Sequence, residues 1–200
     1  MSSEAERIVG LYQRHARAWA DNRGVDANEA PWLDRFLALL PEPASILDIG
    51  CGGAEPIARH FLLRGHNVTG VDSSPPLIDI ARQRYPASRW VVSDMRTLAL
   101  GETFDGLIAW DSFFHLTPDD QRAMFPLFRA HAAAKAALMF TSGPACGEAI
   151  GTFEGEPLYH ASLDPAEYRA RLDANGFDVV AHVMEDASCG GHTIWLAQAR

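Results

Sequence analysis

Between residues 45 and 141 the chain alternates short apolar runs with stretches of helical or loop sequence, and few folds accept that alternation. The runs are Ser45–Ile49, Asn67–Val71, Arg89–Val92, Phe104–Trp110 and Ala137–Thr141. A strand, a crossover and the next strand, repeated, are βαβ units, which build a parallel sheet covered by helices on both faces. Val179–Met184 and Thr193–Ala199 read as two further strands, joined by "EDASCGGH", a loop short enough for an antiparallel hairpin. The expected architecture is therefore α/β, with a seven-stranded, mostly parallel sheet whose last strand is antiparallel.

The helix signals between the strands agree with this. Ser74-Pro75, Thr117-Pro118 and Asp164-Pro165 each place a capping residue before a proline in the first helical turn, and Asn175-Gly176 closes the last helix with a left-handed residue. Ahead of the sheet, Ile8, Leu11, Tyr12, His15 and Trp19 fall on one face of an N-terminal helix. A second helix carries Trp32, Leu33, Phe36, Leu37 and Leu40 and stops at Pro41 and Pro43. No repeat or linker interrupts the chain, so residues 1–200 read as one domain with a helical cap over residues 1–43. The stretch from Ser142 to Leu163, "SGPACGEAIGTFEGEPLYHASL", resists the scheme. Its length and its Gly and Pro content suit a lid over the strand ends or a small hairpin turning at Glu154-Gly155.

Composition narrows the partners. The formal charge is −9, and of the seventeen basic residues only Lys135 is lysine, with no basic cluster anywhere. Such a surface repels phosphate backbones, so nucleic acid is not an expected partner. Cys51, Cys146 and Cys189 are odd in number and widely spaced, which suits free thiols in a reducing compartment rather than a disulfide or zinc framework. Met1 to Trp19 does not read as a secretory signal, and no apolar run reaches the ~18–20 residues that a membrane span requires. The expectation is a cytoplasmic protein with no membrane partner and no metal site.

Chemistry concentrates in "ILDIGCGGAEPIARHF", Ile46 to Phe61. In an open α/β sheet the ligand lies outside the carboxyl ends of the strands, against the turn after the first one. Gly50, Gly52 and Gly53 allow a tight bend whose backbone N–H groups face a ligand with no side chain between. A dinucleotide site wants Gly or Ala three residues after Gly52, at the helix start; Glu55 stands there, where its charge satisfies the helix end and repels a phosphate. The turn suits an uncharged sugar linked to a cationic group.

The order Asp48–Gly53 (D-x-G-x-G), an acid ending the second strand at Asp72, and "SDM" at Ser93–Met95 resembles the class I S-adenosylmethionine-dependent methyltransferases. The resemblance covers most of the chain from Ser45 onward, including the antiparallel seventh strand, and implies a Rossmann-like fold with S-adenosylmethionine as cofactor. The family's usual third glycine is Ala54 here. By that resemblance Gly50, Cys51 and Gly52 lie against the methionine part of the cofactor, with Asp48 near its amino group. Asp72, followed by Ser73, takes the two ribose hydroxyls, as an acceptor-only carboxylate can. Asp94 accepts from the adenine amino group, and Met95 offers its N–H and side chain to the ring. Trp110 and Asp111 lie beside the sulfonium, and Trp19, with Tyr12 and His15, closes over the cofactor. Plainer roles stand beside these: turn acids for Asp48, Asp72 and Asp94, and core packing for Trp110 and for the Tyr12 and Trp19 stripe.

The expected reaction is methyl transfer to a small-molecule acceptor, an in-line displacement for which the protein supplies alignment and removes water. A base serves when the acceptor carries a proton, and histidine suits that role near neutral pH. In "WDSFFHLTPDD", Phe113 and Phe114 are candidate pocket walls and His115 is the first candidate base; His160 is the second, with Glu148, Tyr159 and His192 as further polar candidates. A nicotinamide-dependent oxidoreductase and a cofactor-binding module without turnover are the competing readings.

Overall fold

A computed structural model of the chain describes residues 4–23 and 28–200. The N-terminal aromatic stripe forms two helices, α1 (Glu4–Arg14) and α2 (Ala16–Asn22), where one was expected. His15 (φ −108°, ψ 21°) breaks the helix between them and turns the chain. Helix α3 (Ala30–Leu37) ends short of Leu40, and the alternating core follows: β1 (Ser45–Ile49), α4 (Ile57–Leu62), β2 (Asn67–Asp72), α5 (Pro75–Arg84), β3 (Arg89–Val92), β4 (Phe104–Ala109), α6 (Pro118–His131) and β5 (Ala132–Ser142). Strands β6 (Gly147–Phe153) and β7 (Glu156–Ser162) precede α7 (Pro165–Ala174), β8 (Phe177–Asp186) and β9 (His192–Ala199). The segment 142–163 is thus a hairpin: Glu154 and Gly155 both have positive φ, 50° and 78°, as a tight right-twisted turn requires.

The main sheet has the order β3-β2-β1-β4-β5-β9-β8. Strands β1 to β5 pair in parallel, and β9 runs antiparallel to both β5 and β8. The last strand is therefore wedged between its two neighbours rather than added at the edge. Strand order reverses between β1 and β4, and a crevice opens outside their carboxyl ends at such a point.

Each strand feeds a core on either face of the sheet, because successive side chains point to opposite sides. Leu47, Ile49, Leu107, Ala109, Leu138 and Phe140 face α6 and α7, where Phe125, Phe128 and Tyr168 are fully buried. Ile46, Ile108, Ala137 and Met139 face α3, α4 and α5, among Phe36, Phe61 and Ile78. Thr117 and Asp164 cap α6 and α7 through Asp120 N–H and Ala166 N–H, as their sequence context implied, whereas Ser74 precedes α5 without a side-chain cap bond. Among the described residues no helix is long and apolar enough to cross a membrane.

Candidate functional site

Beyond β1 the backbone bends sharply. Gly50 and Cys51 N–H both donate to Val71 O, at 2.8 and 3.0 Å, which seats the turn on the end of β2. Gly50 (φ +78°) has no room for a side chain: a Cβ there would lie 2.3 Å from Ser112 Cβ. Ser112 is fixed in that place by its own hydroxyl, which donates to Ile49 O at 2.7 Å. Gly52 (φ +54°) lies under the Trp19 indole, whose Nε1 would be 3.2 Å from a Cβ on it.

Asp72 ends β2 and ties the neighbouring loops together. Its Oδ2 accepts from Gly52 N–H at 3.0 Å and its Oδ1 from Ser74 N–H at 2.8 Å, so each oxygen keeps lone pairs for a further donor. Burial pushes this carboxyl above its ordinary range, and the turn N–H groups oppose the shift. Asp94 caps the turn Met95–Thr97 through Arg96 N–H. The Arg96 guanidinium also holds Asp94 through both oxygens and keeps the carboxyl below the usual range.

Gly50, Gly52, Asp72, Ser73, Asp94, Met95 and Trp19 line one cleft of ≈ 210 Å³, together with Tyr12, Arg96, Asp111, Ser112 and His115. Three residues expected there do not line it. Trp110 shares the parity of Ile108, so its ring enters the core on the α3 side and is 4% exposed. Cys51 points into the same core, with burial and the nearby Asp48 and Asp72 carboxylates raising its thiol far above the ordinary range. Asp48 lies beneath the turn rather than in the cleft wall, 2% exposed, and its Oδ2 has no hydrogen-bond partner among the described residues. Burial first, and then the Asp72 charge, push the Asp48 carboxyl up to about 7.

Glu55 does not close the start of α4. Its carboxylate accepts from the Tyr85 hydroxyl at 2.5 Å and approaches Arg59, away from the cleft, because α4 begins later, after Pro56.

A second cleft, of ≈ 490 Å³, adjoins the first at Asp111, which lines both. The β6–β7 hairpin forms one side of it with Glu148, Ala149 and His160, and His192 and Glu185 form the other, near Phe114. Phe113 is not a wall of either cleft; it is fully buried among Phe125, Phe128 and Phe140.

The two candidate bases differ. His115 Nδ1 lies 2.8 Å from Tyr159 O, an acceptor, so Nδ1 carries the proton. Its Nε2, 2.9 Å from the Tyr12 hydroxyl, then accepts from it. Both nitrogens are engaged, and burial holds the imidazole down to about 4. His160 is half-buried, with its ring between Phe114 at 5.2 Å and His115 at 5.0 Å, and burial lowers its pKa as well. It is neutral at physiological pH and faces the second cleft. Tyr159 itself is buried against α1 and contributes its carbonyl to His115.

The N-terminal helices roof the first cleft. Tyr12 and Trp19 meet edge to face at 5.2 Å, and both rings pack on Phe153 at the hairpin tip. Glu156 accepts from Arg14 and from His15 Nε2, which fastens the same helices to the hairpin. Sequence reasoning missed Arg23, Arg96 and Ser112. They carry no motif; the fold brings Arg96 and Ser112 to the first cleft, and Arg23 to the Asp111 carboxylate that borders it. No group of three or more His, Cys, Asp or Glu arranged to hold a metal ion occurs among the described residues.

Comparison with known proteins converges on one kind of domain. Residues 46–134 match a family described as a methyltransferase domain. Magnesium-protoporphyrin O-methyltransferase of Rhodobacter capsulatus is 36% identical over 131 residues, 60% of this chain and 54% of the relative. The dTDP-4-amino-2,3,4,6-tetradeoxy-D-glucose N,N-dimethyltransferase of Saccharopolyspora spinosa is 30% identical over 131 residues, 64% of this chain and 50% of the relative. The chain spans about half the length of these curated relatives. Among solved structures, SAM-bound CalS10, an amino pentose methyltransferase from Micromonospora echinaspora, superposes with a TM-score of 0.73 at 23% identity, covering 92% of this chain and 96% of that one. At that identity the likeness speaks for the fold.

Proposed function

We infer that this chain, a class I methyltransferase by its sheet order and by the domain matched over residues 46–134, transfers a methyl group from S-adenosylmethionine to a small-molecule acceptor. The observation that carries this reading is the pairing of a side-chain-free glycine turn with the Asp72 carboxylate in one cleft, at the carboxyl ends of β1 and β2.

The residues fit the cofactor. Asp72 retains acceptor capacity for two adjacent hydroxyls, and Asp94 and Met95 border the same cleft where an adenine would need an acceptor and an apolar side chain. The Asp48 carboxyl, beneath the turn and outside the cleft wall, would act on a cationic amino group laid against Gly50 and Gly52 through the turn rather than by contact. When bound, the cofactor supplies a methyl group on a positively charged sulfur that leaves as a neutral thioether. Tyr12 and Trp19 exclude water above it. The acceptor occupies the second cleft, which meets the first at Asp111, and His160, neutral and facing that cleft, takes the acceptor's proton. His115 has both nitrogens occupied and positions the Tyr12 hydroxyl instead.

Calorimetric titration with S-adenosylmethionine, S-adenosylhomocysteine and NADH tests the reading. Binding of the first two without the third is expected; tight binding of NADH alone overturns it. Asp72→Ala should weaken cofactor binding by about 1–3 kcal/mol through lost charge-assisted hydrogen bonds. A panel of small acceptors with a radiolabelled methyl donor then separates an enzyme from a protein that only binds the cofactor.

A further inference from the structure

Asp111 stands where the two clefts meet, and its geometry is unusual in two respects. Its backbone is left-handed (φ 49°), an uncommon conformation outside glycine that Asp tolerates better than most residues. Its N–H donates to Thr141 Oγ1 at 2.9 Å, which pins that bend to the end of β5. Its carboxylate serves two different cations at once: Oδ2 is 3.1 Å from Arg23 Nη2, and Oδ1 is 2.9 Å from His192 Nε2.

The two cations belong to opposite sides of the site. Arg23 directly follows α2, the helix that carries Trp19 over Gly52, and it also pairs with the buried Glu29 at 2.9 Å. His192 opens β9 and lines the second cleft. Its Nδ1 lies 2.6 Å from Cys189 O, and its Nε2 faces the Asp111 carboxylate. Both partners only accept, so both ring nitrogens donate and the ring is an imidazolium. Glu29, Arg23, Asp111 and His192 then form a row of alternating charge. Glu185 and His160 are the other titratable groups that share the second cleft with it, besides Glu148 on the hairpin.

We propose that Asp111 is a positioning residue joining the cofactor side of the site to the acceptor side: one carboxylate fixes His192 as an imidazolium in the wall of the second cleft and holds Arg23 at the end of the roof helix. This rests on the assignment of the two clefts to cofactor and acceptor. A ligand in the first cleft displaces water from Asp111, and with less screening the carboxylate grips His192 more firmly. The wall that meets the acceptor is thereby set by the occupant of the neighbouring cleft. Both His192 N–H groups are spent on the protein, so the ring contributes shape and charge to that wall rather than a hydrogen bond to the acceptor.

The test follows the His192 ring by NMR, assigned by comparison with His192→Gln, through a pH titration with and without S-adenosylhomocysteine. In the unmodified protein the midpoint is expected above the ordinary histidine value and should rise when the ligand saturates. Asp111→Asn should lower the midpoint and abolish its response to ligand; an unchanged midpoint overturns the proposal. Where Asp111→Asn does not fold, Arg23→Gln decides: removing one of the two cations that share the carboxylate should raise the His192 midpoint, and no movement overturns the proposal. Binding of S-adenosylhomocysteine that leaves the His192 titration unmoved overturns the link between the clefts. Absence of binding altogether overturns the cofactor reading instead, while the ligand-free titrations of Asp111→Asn and Arg23→Gln still decide the role of Asp111.

Discussion

Ser112 fills the space that a methyl group on residue 50 would need, so Gly50→Ala must either push Ser112 off Ile49 O or distort the turn. With the positive φ added to the clash, the expected cost is on the order of 2–4 kcal/mol, read as a lowered urea midpoint. His115 offers a test in pH. Its folded-state pKa, about 4, lies below the ordinary 6.5, so the unfolded chain binds more protons between those values. Stability from this residue is complete above pH 6.5 and falls as the pH drops toward 4, by about 3 kcal/mol in all. Denaturation curves of the protein and of His115→Gln at pH 7.5, 6 and 5 should converge as the pH falls. At this scale the sequence was legible wherever a residue's role depends on its neighbours in the chain, as for Gly50, Asp72 and the Asp94 turn. Of the two roles read for Trp110, a place beside the sulfonium and core packing, the structure bears out the second, because period-two alternation puts it with Ile108 in the core.

At the scale of elements, the roof and the hairpin form one unit. Phe153 touches the rings of Tyr12, His15 and Trp19, and Glu156 engages Arg14 and His15, so the tip of the hairpin holds α1 and α2 on one side while Leu77 and Ile80 of α5 hold them on the other. Tyr12, Ile8, Leu11 and Tyr159 belong to a small cluster separate from the two cores beside the main sheet. Phe153→Ala is therefore expected to speed hydrogen exchange in α1 and α2 and to hasten release of S-adenosylhomocysteine, while β1, β4 and β5 keep their protection. Uniform loss of protection would contradict that separation. Turn chemistry made the hairpin legible at Glu154-Gly155. What it packs against was not, since α1 and β7 lie far apart in sequence and only the fold brings Arg14 to Glu156. The break at His15 was missed for a related reason: the helical stripe continues through it, and the partner that His15 meets there, Glu156, is brought by the fold.

For the molecule as a whole, the mostly parallel α/β sheet and a crevice outside its strand ends followed from the alternation of runs, whereas the place of β9 between β5 and β8 did not. The acceptor side was far less legible, being assembled from β5, the hairpin, β9 and the loop before it, segments that share no local motif. If the crevice holds the cofactor, S-adenosylhomocysteine at a hundred times its dissociation constant should stabilise the whole fold by about 2.7 kcal/mol. For a chain of this size that is roughly 5–10 °C in melting temperature by scanning calorimetry. NADH at the same concentration should leave the transition where it was.

The antiparallel β9 carries a consequence for how the chain is made. It is the ninth strand in sequence yet lies between β5 and β8, so β8 has no sheet to join until β9 exists. During translation, β1 to β5 can assemble as they emerge, but β8 must wait, its apolar face unsheltered, until Ala199 has left the ribosome. A chaperone that meets this protein on the ribosome should find it there, at the far edge, rather than at the glycine turn.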